Sequence, residues 1–172
     1  MGLQRIVCAK GGFMENVKEA ITLFAIGGCG LMAGVFFTFS VAIMKALSRL
    51  PVSEGIAAMQ AINVAIVNPL FLLVFLGTAA ATIFVVVEAL LHLQEPNAIY
   101  RVVGGALYLI GSLLVTIVIN IPMNDALAAA KPTDPTSSTL WANYLNSWTA
   151  WNQVRAVAAI AATLSLTIAR IF

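Results

Sequence analysis

Four long apolar runs dominate the chain, over residues 20–47, 69–91, 102–121 and 154–172. Each holds about 19 residues or more, and roughly 20 residues of helix cross a 30 Å hydrocarbon core. Backbone polar groups inside hydrocarbon must pair within the protein, so only helices and closed barrels span a membrane. None of the runs alternates with period two, as a barrel strand must. The expectation is an all-α fold: one integral membrane domain over residues 1–172, built as a four-helix bundle. Composition agrees, with 61% hydrophobic and 9% charged residues against roughly 25% charged in soluble domains. Too little polar surface exists to coat a water-soluble globule.

The net charge is +2 and no basic stripe is present, which argues against nucleic acid as a partner. The lipid bilayer is the expected partner instead. Cys8 and Cys29 are too few for a disulfide framework and leave the redox compartment open.

The first run extends about 42 Å as helix, more than a span needs, so it is expected to tilt or to project at its Lys45 end. It is about twice the apolar length of a signal peptide and reads as a span. Within "GGCGLMAG", Gly30 and Gly34 stand at i, i+4, a spacing that lets helices approach closely.

The connections differ in length and character. Residues 49–68 place Ile56, Met59, Ala61, Ile62 and Ile66 on an amphipathic helix too short and polar to span. The second and third runs are joined by the tight return "HLQEPNAIYR". Before the fourth run, "KPTDPTSST" is rich in turn residues. It leads into "LWANYLNSWTAWNQ", expected as a short aromatic helix at the interface. An even number of spans puts both termini on one side and the two long connections on the other. Lys and Arg number five on the terminal side (Arg5, Lys10, Lys18, Arg101, Arg170) and four opposite (Lys45, Arg49, Lys131, Arg155). The positive-inside rule then places the termini in the cytoplasm.

Polar residues gather at the long-connection end. They are Gln60, Asn63 and Asn68, then Asn120, Asn124 and Asp125, and finally Trp148, Trp151, Asn152 and Arg155. Thr38 and Ser40 lie within reach from the first run. Asn120 and Asn124 share a face at i, i+4 around Pro122, which removes a backbone hydrogen bond. Asn152 and Arg155 share a face at i, i+3, with Trp148 one turn earlier. A guanidinium fork backed by amides suits a carbonyl, phenolate or carboxylate, and aromatic rings suit a flat apolar ligand. In a membrane protein such intramembrane polar residues are functional candidates.

Each feature also has a plain structural reading. Trp141 and Tyr144 read as interfacial anchors. Asn120-x-Pro-x-Asn124 could cap and end a helix, and Arg155 could snorkel to headgroups. Glu88, His92 and Glu95 share one face at i, i+4, i+7. With a single histidine and no nearby cysteine they read as a helix-end cluster, not a metal site. No phosphate loop, zinc spacing or serine-nucleophile motif is present.

The glycine-rich "GLMAGVFFTFSVAIMKAL", "TIVINIPMNDAL" at the end of the third run, and "WTAWNQVR" at the entry to the fourth together resemble a known family. They are similar to the small four-span membrane proteins grouped with the fungal anthrone oxygenases, over about residues 24–168. The resemblance marks Asn120, Pro122, Asn124, Trp148, Trp151, Asn152 and Arg155. It implies an oxygenase that needs no metal or flavin and converts an anthrone methylene to a quinone carbonyl. An anthrone C–H is acidic because its anion is a delocalised phenolate, so the enzyme must supply a base and hold that anion in a dry site. On this reading Asp125 is the candidate base and Arg155 the clamp on the oxyanion. Asn120, Asn124, Asn152 and Asn63 contact the ligand, and Trp148 and Trp151 stack on it. The alternative is a non-enzymatic membrane protein: a small-molecule binder, a carrier component or an accessory subunit, as a monomer or a homo-oligomer. A multi-pass location in a bacterial plasma membrane is expected.

Overall fold

The computed structural model describes the backbone of residues 2–171 and the side chains of residues 12–171. Arg5, Cys8 and Lys10 lie outside the described side chains. The regular elements among the described residues are all helices, with no strand among them. Helix α1 runs regularly over Gly2–Thr38, passes through a π-helical turn at Phe39–Ile43, and ends with Met44–Leu47. Helix α2 is Val52–Ile66, α3 Pro69–Leu91, α4 Ala98–Ala128 and α5 Ser137–Ile171. Four of these, α1, α3, α4 and α5, are long and apolar enough to cross a membrane, and α2 is the shorter apolar helix of the first connection.

Local chemistry explains the boundaries. Asn68 starts α3, its Oδ1 accepting the Phe71 amide at 3.0 Å, with Pro69 at the first helical position. Pro122 predicts that α4 stops at Ile121, because proline lacks an N–H and crowds the carbonyl four residues back. The helix continues to Ala128 instead. The turns ahead of Pro122 are π-helical, over Leu109–Leu114 and Thr116–Asn120, and such widened turns accommodate proline inside membrane helices. Asn120 makes no capping bond there. The aromatic stretch before the fourth run is likewise continuous with that run, both forming the single helix α5. At about 1.5 Å per residue this 35-residue helix exceeds the hydrocarbon core.

The four long helices form a ring in the order α1, α3, α4, α5, with α5 closing against α1. Each is antiparallel to its neighbours. Tight approach of α1 to α3 occurs at Gly28, where a Cβ would lie 1.9 Å from Thr78 Oγ1. The expected pair behaves differently. A Cβ on Gly34 meets nothing within 4 Å, and one on Gly30 meets only Thr163, no closer than 3.7 Å. That pair lies toward the outer face of α1, roughly on the far side of the helix from the contact that Gly28 makes. Buried hydrogen bonds cross between helices: Tyr108 Oη donates to Phe75 O at 3.0 Å and Ser165 Oγ to Tyr100 O at 2.7 Å. Each such bond contributes about 0.6 kcal/mol on average in membrane bundles.

Along α5 the inward stripe is Trp141, Tyr144, Trp148, Asn152, Arg155, Ala159, Ala162, Leu166 and Ala169, all buried. Its steps of three and four are those of one helix face. The alanine half lets α1 and α4 close tightly, while the aromatic half holds them apart. Helix α2 folds over that wider end. Its Ile56 and Met59 pack with Leu47, Leu127 and Trp141. Gln60 Nε2 donates to Leu127 O at 2.8 Å and Ala130 O at 3.0 Å, tying α2 to the last carbonyls at the end of α4. In the adjoining turn, the hydroxyl and amide of Thr136 hold the Asp134 carboxyl below its ordinary pKa.

At the opposite end, Glu88 accepts from Lys18 at 3.2 Å and from Arg101. Arg101 also reaches Glu95, and Arg170 pairs with Glu19 at 2.5 Å. His92 Nδ1 lies 2.9 Å from Glu88 O. The Glu88, His92, Glu95 face is therefore an ion-pair clasp joining α1, α3 and α4.

Candidate functional site

Where α2 caps the ring, the aromatic half of α5 leaves a chamber of about 160 Å³. Phe36 and Phe39 of α1, Phe71 and Phe75 of α3, and Trp148 of α5 supply its aromatic walls. Its polar lining is Asn63, Thr116, Asn124, Asn152 and Arg155. Arg155 comes from near the midpoint of α5 and is only 6% exposed.

The guanidinium is held from three directions. Nη2 donates to Asn152 Oδ1 at 2.6 Å and Nη1 to Thr116 Oγ1 at 3.1 Å. Its Cζ lies 4.5 Å from the centre of the Phe36 ring and 5.2 Å from that of Trp148, in cation–π range. Asn152 cannot turn over, because its Nδ2 donates to Phe36 O and to Ser40 Oγ, both at 2.7 Å. Thr116 sends its own proton to Ser112 O at 2.7 Å, which leaves an oxygen lone pair for Arg155. Ser40 is thus drawn in from α1, while Thr38 donates back to Gly34 O and faces outward.

Asn124 is fixed in the same manner. Its Oδ1 accepts from Tyr144 Oη and Trp148 Nε1, each at 2.8 Å. Since an indole N–H can only donate, the oxygen is assigned and Nδ2 is left as the donor available to the chamber. Asn120 lies beside this group, its Nδ2 3.5 Å from Trp148 O. Three buried atoms here have no hydrogen-bond partner: Asn63 Nδ2, Asn120 Oδ1 and Arg155 Nε. An unsatisfied buried group costs about 1–3 kcal/mol, so native interiors hold few of them. Of the six such atoms among the described residues, Asn63 Nδ2 and Arg155 Nε belong to residues lining the chamber and Asn120 Oδ1 to a residue beside it, which makes the chamber the candidate ligand site.

Two candidates stand apart. Asp125 is exposed, lines no part of the chamber and forms no ion pair with Arg155. One residue past Asn124, it is turned about 100° around the helix. Trp151 is 40% exposed and faces out of the bundle, one residue before the inward Asn152. The anchor expectation for Trp141 and Tyr144 is overturned, because both are buried. They stack with Trp148 in a ladder, ring centres 5.7 Å apart at each step and planes within 18°. Helix α2 covers this end of α5, so the rings face protein. The face shared with Trp148 at i, i+4 was the signal for Tyr144. The Phe residues and Thr116 carried none, being ordinary members of apolar runs.

Chemically the chamber is an apolar, aromatic-walled space with a cation and amide donors at one end. Among the described residues no carboxylate stands within ion-pair distance of Arg155. Buried charges in proteins are normally paired, so the arrangement favours an anionic oxygen on a flat apolar ligand.

Comparison with known proteins adds the family. No curated protein and no solved structure matches the chain. The sequence model of the family described as anthrone oxygenase matches residues 66–165, which include α3, α4, the polar lining from Thr116 to Arg155 and most of α5. That stretch exceeds half of the 172 residues, and this multi-span membrane protein belongs to the anthrone oxygenase family.

Proposed function

We propose that the chamber binds a hydrophobic phenolic or enolisable compound as its anion and promotes its oxidation by molecular oxygen. The observation that carries this reading is the buried Arg155, held in place by Asn152 and Thr116 and lacking a carboxylate partner among the described residues. A delocalised carbanion–phenolate can pass one electron to oxygen. Recombination of the radical pair gives a hydroperoxide at carbon, which loses water. In balance, one methylene and one dioxygen molecule give one ketone carbonyl and one water. The methylene carbon is oxidised by four electrons, one oxygen atom stays on it, and the other leaves as water with both methylene hydrogens.

In this scheme Arg155 stabilises the oxyanion, in ground state and in the transition states leading from it. Asn124 and Asn63 orient the ligand oxygen, and Trp148 and Phe36 flank the ring. Asp125 has no part, and the ligand ionises because Arg155 favours its anion. The lining offers neither carboxylate nor imidazole as base, which favours a second reading: a binder of such anions without turnover.

The test is oxygen uptake by purified protein in nanodiscs with enolisable and phenolic compounds of one to three rings, anthrone included. Turnover above the spontaneous rate is expected with at least one of these compounds, falling about 100-fold or more in Arg155→Gln and unchanged in Asp125→Asn. No uptake with any compound, with binding retained, leaves the binder reading. Loss of uptake in Asp125→Asn restores that residue as the base.

A further inference from the structure

We infer that the ligand is a single phenolic ring carrying an apolar tail, with the ring in the chamber and the tail left in the bilayer. This rests on the reading that Arg155 receives a phenolic oxygen, and it narrows the substrate class.

Volume sets the head. The chamber measures about 160 Å³, and an engineered cavity of about 150 Å³ holds benzene. One ring fits, and three fused rings do not. Sites that enclose whole drug-sized ligands run from about 300 Å³ upward, so anything larger than the ring must leave the chamber.

The rim says where it leaves. The aqueous end is shut by α2, latched to α4 through Gln60, and by the Trp141, Tyr144, Trp148 stack. Of the chamber's residues, the exposed ones are Val67 and Leu72, where α2 passes into α3, and Ile121 at the widened turns of α4. Val67 is 65% exposed and Ile121 44%. Their neighbours Leu70, Ile117 and Val118 are exposed and apolar as well. This rim carries no charge and opens on a lipid-facing side of the bundle. The chamber is therefore charged at its closed end and greasy at its mouth, matching a ligand built as phenol and tail.

A tail that stays in lipid when free and when bound adds nothing to affinity expressed per mole fraction of ligand in the bilayer. The experiment compares 4-methylphenol, 4-dodecylphenol, 4-methylanisole and anthrone in nanodiscs. Binding is read from quenching of Trp148 in a Trp141→Phe/Trp151→Phe protein, so that the lipid-facing Trp151 does not report free ligand. On the mole-fraction scale the two phenols bind within about threefold of each other, while anthrone binds at least tenfold more weakly than 4-methylphenol. Val67→Phe, which narrows the mouth without adding a second tryptophan, weakens 4-dodecylphenol at least tenfold and leaves 4-methylphenol within about threefold. A 4-dodecylphenol affinity more than tenfold below that of 4-methylphenol, or anthrone equal to it, overturns the ring-and-tail inference while Arg155 keeps its role. Binding of the anisole as tight as 4-methylphenol, or binding unaffected by Arg155→Gln, defeats the underlying reading instead.

Discussion

Arg155 donates to the side-chain carbonyl oxygen of Asn152, one turn before it on α5, at 2.6 Å, and meets no carboxylate among the described residues. A buried ion held only by neutral groups is costly to the fold, and replacement even of buried ion pairs by apolar residues is often neutral or stabilising by about 1–4 kcal/mol. Arg155→Met is therefore expected to melt no lower than a few degrees below the parent, followed by circular dichroism. Binding of phenols falls at least tenfold in the same protein. A much lower midpoint would make the guanidinium a structural tie.

Thr116 offers a complementary substitution. It lies 3.1 Å from Arg155 Nη1, so Thr116→Asp gives the guanidinium an internal counterion. Phenol binding is expected to drop at least tenfold, while 4-methylanisole changes by less than about threefold. Titration calorimetry on both ligands reads the difference, and an unchanged phenol affinity contradicts it.

The Asn124 junction predicts stability. Its Oδ1 satisfies both Tyr144 Oη and Trp148 Nε1. Tyr144→Phe removes one donor and costs about 1 kcal/mol. Asn124→Leu strands two buried donors, at about 1–3 kcal/mol each, and is expected to cost roughly 2–6 kcal/mol. Denaturant titration of both variants checks the ordering, and equal losses would show that Asn124 is not shared.

Two glycines of α1 separate packing from propensity. Gly28→Ala drives a methyl against Thr78 Oγ1 and is expected to destabilise by about 1–3 kcal/mol. Gly34→Ala meets nothing within 4 Å and gains up to about 1 kcal/mol of helix propensity. Opposite shifts in melting midpoint are expected, and shifts of the same sign would count against the assigned α1–α3 contact.

Periodicity made a good part of this site legible in the sequence. Spacings of three and four brought Asn124, Trp148, Asn152 and Arg155 to one end of the bundle, because side chains on one helix face must share a neighbour. Asp125 shows the limit: nearness in sequence to Asn124 put it near the site, and one residue's rotation took it out. The continuity of α4 past Pro122 was hidden because the π-helical turns that admit it depend on packing. The burial of Trp141 and Tyr144 was hidden for a related reason, since α2 covers them from a distant part of the chain. Aromatic walls such as Phe36 and Phe75 look like any other residue of an apolar span.

The central claim is that Arg155 holds an anionic oxygen, and the ultraviolet difference spectrum of bound 4-methylphenol tests it most directly. A free phenol ionises near pH 10, as the tyrosine side chain does. At about pH 7, where the free ligand is neutral, the parent protein is predicted to bind it with the red-shifted phenolate band. Arg155→Gln is predicted to lose that band. A neutral-phenol spectrum in the saturated parent protein would contradict the account.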